Sequence, residues 1–290
     1  MSVAPPGYAG SRIDAHLHVW HRTKSEYAWL SPGDELDADF PPHDAAAALR
    51  DAGFSSAVLV QADDTASDTR YLLDVAGWNE WVAGVVGWVP LSDPEGTAAE
   101  LERLSAYPVL RGVRQLIHVD PDPHFLERPT VRASLAAVAK RGLAFDVPDA
   151  WPAHLQAVPA LAVALPHLKI VLDHLGRPPV VADDVDVWRS VLTEIASRPN
   201  VVVKFSGLAA ASSIPPGLSL ADLWNIALDT FGASRIMYGG DWPISRKAGT
   251  YREVWNSVEP LIATLSPAEQ AEVMCGTASR TYRLRTSVAQ

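Results

Sequence analysis

A (β/α)8 barrel is the fold this sequence predicts, and three observations predict it. Eight short apolar runs are spread along 290 residues, and amphipathic stretches of helical length separate most of them. The runs are rich in Val, Ile and Leu with little alternation, as strands buried on both faces of a parallel sheet must be. The length also suits one such barrel, which typically takes about 250 residues. One domain over residues 1–290 is therefore expected, with charge and hydrophobic content ordinary for a folded protein.

The first run is 12–16, followed by a connection over 20–42 that is long for a βα loop and so a candidate for function. The second run, 56–61, lies between helices expected at 44–52 and 68–80. The third, 82–89, is followed by a helix at 97–106. After the fourth run, 110–114, a helix is expected at 129–141, because Pro129 opens it, Val131, Leu135 and Val138 share a face, and Gly142 stops it. The fifth run is 143–147 and the sixth 169–174, with an apolar stretch between them broken by Pro159 and Pro166. Helices at 185–197 and 220–231 flank the seventh run, 201–206; Leu220, Leu223, Trp224, Ala227, Leu228 and Phe231 form one apolar face of the second. The eighth run is 236–241, followed by a helix at 251–265. A doubly wound sheet is the alternative; no Gly-rich loop follows the first strand, and element order alone does not separate the two.

Charge and cysteine usage narrow the function. With 24 Lys+Arg against 34 Asp+Glu the formal net charge is −10, which argues against nucleic-acid binding through phosphate neutralisation. No run is apolar enough to span a membrane, and the opening Met1-Ser2-Val3-Ala4-Pro5-Pro6-Gly7 carries no basic and apolar signal-peptide pattern. The lone Cys275 cannot form an internal disulfide, which suits a cytoplasmic protein. A small-molecule partner is expected; the oligomeric state is not readable.

In a barrel of this kind chemistry sits at the C-terminal ends of the strands. His16 and His18 follow the first strand as His-x-His, with alternation placing both on one face. The sixth strand ends on Asp173-His174 and the eighth on Gly239-Gly240-Asp241-Trp242. Gln61, Trp88, Arg114 and Lys204 end the second, third, fourth and seventh strands, and His118 lies just past the fourth. Imidazoles and a carboxylate converging from separate strands can hold a divalent metal or place a water beside a polarised carbonyl. The metal-ligand candidates are His16, His18, His174 and Asp241. Gln61, Trp88, His118, Lys204 and Trp242 are the substrate-binding candidates, with Arg114 and Lys204 expected to put positive charge in the pocket. Among the ten tryptophans, Trp20, Trp29, Trp88, Trp151 and Trp242 fall where an indole could pack on a sugar ring. His21, His43, His124, His154 and His167 are expected at the surface.

These residues carry a resemblance. The strings Ile13-Asp14-Ala15-His16-Leu17-His18-Val19-Trp20, Arg111-Gly112-Val113-Arg114, Leu172-Asp173-His174-Leu175-Gly176, Lys204-Phe205-Ser206-Gly207-Leu208 and Gly239-Gly240-Asp241-Trp242-Pro243 run in an order similar to that of the amidohydrolase superfamily. The chain most closely resembles the amidohydrolase-related branch of sugar-lactone hydrolases, which holds L-fuconolactonase-like and L-rhamnonolactonase-like enzymes; the dicarboxylate-pyrone lactonase is a more distant relative. The resemblance implies a barrel hydrolase of sugar catabolism that opens an aldono-lactone, with Asp241 activating water while His16, His18, His174 and Arg114 surround the carbonyl. Binuclear members of the superfamily place a lysine or acid on the fourth strand and a histidine on the fifth. Here Arg114 and Asp146 stand at those strands, which points away from two metals.

Some relatives in this branch work without metal, so a single divalent ion, zinc or similar, and a metal-independent site are both open. Protonated histidines would depress the Asp241 pKa and weaken it as a base, which tilts the expectation toward one metal ion. A metal-dependent decarboxylase of an aromatic or unsaturated acid is the alternative activity, beside a muconolactone-type lactonase, an amidase and a non-catalytic binding protein.

Overall fold

The computed structural model describes residues 10–284, and the stretch read for a signal peptide lies outside them. Eight parallel strands pair in sequence order: β1 (Ile13–Leu17), β2 (Ser56–Val60), β3 (Val82–Gly87), β4 (Leu110–Arg114), β5 (Ala144–Val147), β6 (Lys169–Leu172), β7 (Val201–Phe205) and β8 (Ile236–Tyr238). The last and first strands meet through backbone bonds at their C-terminal ends. Asp241 N–H donates to His16 O at 2.8 Å and His18 N–H to Trp242 O at 2.8 Å. The barrel thus closes where its polar residues gather.

The helices between the strands are α1 (Pro42–Asp51), α2 (Ala66–Trp78), α3 (Pro94–Leu104), α4 (Pro129–Lys140), α5 (Val158–Ala164), α6 (Val185–Ala196), α7 (Leu220–Phe231) and α8 (Tyr251–Ile262). Their starts follow the sequence. Proline opens α1, α3 and α4, where its missing N–H costs nothing. The side chains of Ser219 and Thr250 each accept from the third helical N–H, and Asp222 and Glu253 return the bond. The apolar stretch between the fifth and sixth runs, read as broken by Pro159 and Pro166, carries the short α5: Pro159 sits in its first turn, where proline is tolerated. The short α9 (Pro267–Ala271) and α10 (Thr277–Thr281) follow the last strand and were not foreseen, each being too short for periodicity to register.

The core has two layers. Leucines, valines and aromatics of helices and strands pack between the sheet and the helical ring. Inside the barrel, Ile13, Ala15, Val58, Val86, Ala144, Val171, Val202 and Met237 form an apolar plug that Tyr282 and Ala278 contact. Toward the C-terminal ends the same inward register carries Arg114, Asp146, Asp173 and Lys204, so the interior changes from apolar to ionic within one side-chain layer. The connection over 20–42 folds back on itself through Trp20 and Phe40, with the Trp20 indole donating to Ala38 O at 2.7 Å. Among the described residues no helix is long and apolar enough to cross a membrane.

Candidate active site

Strand β1 does not alternate regularly. Between Asp14 and Leu17 it advances three residues while β2 advances two, from Ala57 to Leu59. This bulge turns His16 into the barrel directly after Ala15, and His18 follows on the same side. The crowding requires Gly239 opposite, since a Cβ there would lie 2.6 Å from His16 Cβ. Behind the bulge the buried Asp14 carboxylate accepts His16 N–H at 2.8 Å, Gly240 N–H at 2.9 Å and the Tyr251 hydroxyl at 2.8 Å. Burial pushes its pKa up to about 7, against those three donors. One carboxylate therefore ties the His-x-His segment to the Asp241 turn.

Asp241 and His174 both have left-handed backbone, with φ of 54° and 53°. Non-glycine residues seldom adopt it, and it aims both side chains across Gly207. Gly207 has φ of +65°, and a Cβ there would sit 2.7 Å from His174 Nδ1 and 2.9 Å from Asp241 Oδ2. A methyl group would therefore push the two side chains apart. Gly207→Ala is expected to lower turnover by about tenfold or more, read as kcat/KM beside an unchanged circular dichroism spectrum.

Three donor atoms converge: His16 Nε2 lies 3.1 Å from His18 Nε2, and Asp241 Oδ1 lies 3.6 Å and 3.5 Å from the two. Zinc bonds of about 2.0–2.1 Å in a tetrahedron require ligand separations of about 3.3 Å. The residues present fit such an ion. The His18 tautomer agrees: its Nδ1 stands 2.7 Å from Val60 O, an acceptor, so Nδ1 carries the proton and Nε2 a lone pair. That lone pair faces Asp241 Oδ1, acceptor against acceptor, which repels unless a cation or proton lies between them. His16 Nδ1 lies 3.0 Å from Lys204 Nζ and 3.4 Å from Asp173 Oδ1, a buried oxygen that the Lys204 ammonium also meets at 3.0 Å. When Nε2 is a ligand His16 carries its proton on Nδ1, with this oxygen as the acceptor, and the ammonium then donates to Asp146 and Asp173 rather than to Nδ1. Burial, with the Lys204 ammonium beside it, holds the His16 imidazole well below its ordinary pKa; burial also lowers that of His18. Both rings are neutral near pH 7, the ligating form.

His174 falls in a second group, with His16 and Asp173. Its Nδ1 is 2.9 Å from Ser206 Oγ, and its ring stands 4.6 Å from that of His16. Asp173 is committed to Lys204 at 3.0 Å and Arg114 at 3.3 Å, so this second group is an ion-pair network.

Above the triplet opens a cavity of about 540 Å³. His18, Arg114, His118, His174 and Asp241 line it, as does the ring of Trp29, whose indole N–H is used by Ala62 O at 2.7 Å. Gln61, Trp88, Lys204 and Trp242, expected at the substrate, are not among its lining residues. Lys204 is wholly buried below the triplet, where Asp146 at 2.6 Å and Asp173 balance its charge. Gln61 braces Arg114: its side-chain amide donates to the backbone oxygen of Arg114, and its backbone carbonyl accepts the guanidinium. Trp242 packs edge-on to Phe40, ring centres 5.6 Å apart. The Trp88 backbone N–H donates to Thr69 Oγ1 at 2.8 Å. His154 is buried rather than at the surface, while His43, His124 and His167 are exposed. The cavity also takes Asp149, Arg177 and Lys247, which strand-end reading missed because they lie deeper in their loops.

The family model for amidohydrolases matches residues 13–284. The chain belongs to this family. A curated relative, the L-fucono-1,5-lactonase of Burkholderia ambifaria, is 36% identical over 281 residues, covering 94% of this chain and 96% of its own. The crystal structure of an amidohydrolase from Burkholderia multivorans, which contains bound zinc, superposes with a TM-score of 0.84 at 30% identity, covering 95% of this chain and all of that one. The 5-carboxyvanillate decarboxylase of Sphingomonas paucimobilis superposes with a TM-score of 0.67 over 95% of this chain and 99% of its own; at 16% identity the likeness is one of fold.

Proposed function

We propose that this amidohydrolase opens a six-membered sugar aldono-lactone, with L-fucono-1,5-lactone the first candidate, in one barrel domain over residues 1–290. The observation that carries the reading is the His16–His18–Asp241 triplet at the floor of the cavity, with Arg114 and His174 beside it, in a chain 36% identical over nearly its whole length to a lactonase of that specificity. His16 Nε2, His18 Nε2 and Asp241 Oδ1 would hold one zinc ion. Bound there, zinc acidifies water and polarises the lactone carbonyl.

The two oxygens of Asp241 divide the work. Oδ1 faces the histidines, and Oδ2 is turned toward Gly207 and His174. Oδ2 takes the proton of the attacking water, a general-base contribution typically of about 10²–10⁴-fold. The guanidinium of Arg114, braced by Gln61 and Asp173, directs its donors at the developing oxyanion. As the ring C–O bond breaks, the proton returns from Asp241 to the leaving oxygen, giving the open hydroxy acid. The Trp29 ring packs on sugar C–H groups, and His118, Asp149 and Arg177 meet the ring hydroxyls. Arg177 and Lys247 at the rim favour the anionic product over bulk water. The unpaired Cys275 and the acidic balance support cytoplasmic work on a small molecule rather than on nucleic acid.

A pH-indicator screen of aldono-lactones and muconolactone-type compounds tests the reading. Turnover of a 1,5-aldono-lactone is expected, with about one zinc per chain by metal analysis and at least about a tenfold loss on chelation that zinc restores. Full activity in metal-free protein overturns the zinc assignment, and a panel without turnover overturns the lactonase reading.

A further inference from the structure

The loop after β2 carries two adjacent carboxylates with different tasks. Asp63 holds the connection over 20–42, accepting Ser25 Oγ at 2.6 Å and Tyr27 N–H at 3.1 Å. Asp64 turns the other way, into the barrel mouth, and reaches past β3 to the end of β4. Its two oxygens accept Leu116 N–H at 2.9 Å and 3.1 Å, and Oδ1 also accepts the Gln61 side-chain amide at 3.0 Å. An ionised carboxylate only accepts, so it fixes which end of the Gln61 amide faces it. The second N–H of that amide is then aimed at the backbone oxygen of Arg114, 3.2 Å away, while the backbone carbonyl of Gln61 receives Arg114 Nη2. The Gln61 side chain thus joins Asp64 to the main chain of Arg114, and Leu116 lies two residues before His118 in the cavity wall.

We infer that Asp64 is a positioning residue for lactone opening, holding the main chain that carries Arg114 through the Gln61 amide and the His118 segment through Leu116 N–H. The inference rests on the hydrolytic reading above. Asp64 is costly to bury: desolvation pushes its pKa up to about 6, against the Leu116 N–H, Arg114 and Gln61, with Asp63 adding repulsion. Such a cost is expected where a carboxylate serves the site. Asp64 touches neither the triplet nor the reacting atoms, so its influence passes through Arg114.

A double-mutant cycle reads that route. Asp64→Asn is expected to lower kcat/KM about 30-fold, most of it in kcat, yet less than about threefold in an Arg114→Lys background. Gln61→Met severs the same link and should repeat the pattern, which covers the case where Asp64→Asn fails to fold. Equal losses in both backgrounds, or a variant within twofold of wild type, overturn the role of Asp64 and leave the lactonase reading standing. A wild-type protein that opens no lactone overturns both.

Discussion

Replacing Asp241 with Asn is expected to cut lactone turnover by about 10³-fold or more without loss of the fold. The expectation has two parts. An amide cannot take the proton of the attacking water, and it is a poor third ligand beside two neutral imidazoles, so zinc content should fall with activity. The fold should survive because Asp241 contributes to barrel closure through its backbone, with its N–H on His16 O. Its φ of 54° also lies in the region where Asn is enriched, so the substitution brings no new strain. Initial rates, metal content and a melting curve on one preparation decide the matter. Near-normal turnover would remove Asp241 from the reaction, and a collapsed melting temperature would mean that the side chain is chiefly structural.

What was legible in the sequence follows from what is local. Strand runs such as 201–206 show because both faces of a parallel strand are buried, and α7 shows because its apolar positions repeat at the helical period. His16, His18, His174 and Asp241 were legible because barrel geometry sends strand ends to one place. The bulge at β1 was not, since one extra residue leaves no mark in a five-residue run, yet it aims His16 inward. Helix α5 was lost because seven residues carry less than two full helical periods, and two prolines read as breaks. Lys204 was misplaced for another reason. A lysine at a strand end reads as pocket charge, and its true partners, Asp146 and Asp173, belong to β5 and to the turn after β6. Only the closed barrel shows that three such residues share one level, and the same non-locality hid the link from Asp64 to Arg114.

That buried ionic layer yields the largest expected effect on stability. Lys204 has no exposed surface, and its ammonium stands 2.6 Å from Asp146 and 3.0 Å from Asp173. Lys204→Met keeps most of the volume and removes the charge. Asp146 then retains only the Tyr282 hydroxyl at 2.7 Å, and Asp173 retains Arg114 and His16. Removing one partner of a buried pair leaves an uncompensated charge, so a loss of about 3–5 kcal/mol is expected, a fall in melting temperature on the order of 10 °C. The deficit should depend on pH in one direction. Burial already raises the Asp146 pKa to about 6 even with Lys204 pulling it down, and without the lysine it rises further. A carboxyl whose folded pKa exceeds its unfolded value binds its proton more tightly in the native state. Its contribution to stability is therefore greatest below the unfolded value, near 4, and is lost as pH rises through the folded value. The Lys204→Met deficit should accordingly shrink as pH is lowered from 8 toward 5. Urea midpoints for both proteins across that range measure it, and a deficit that stays constant would mean that packing around the lysine stem, not its charge, holds this layer together.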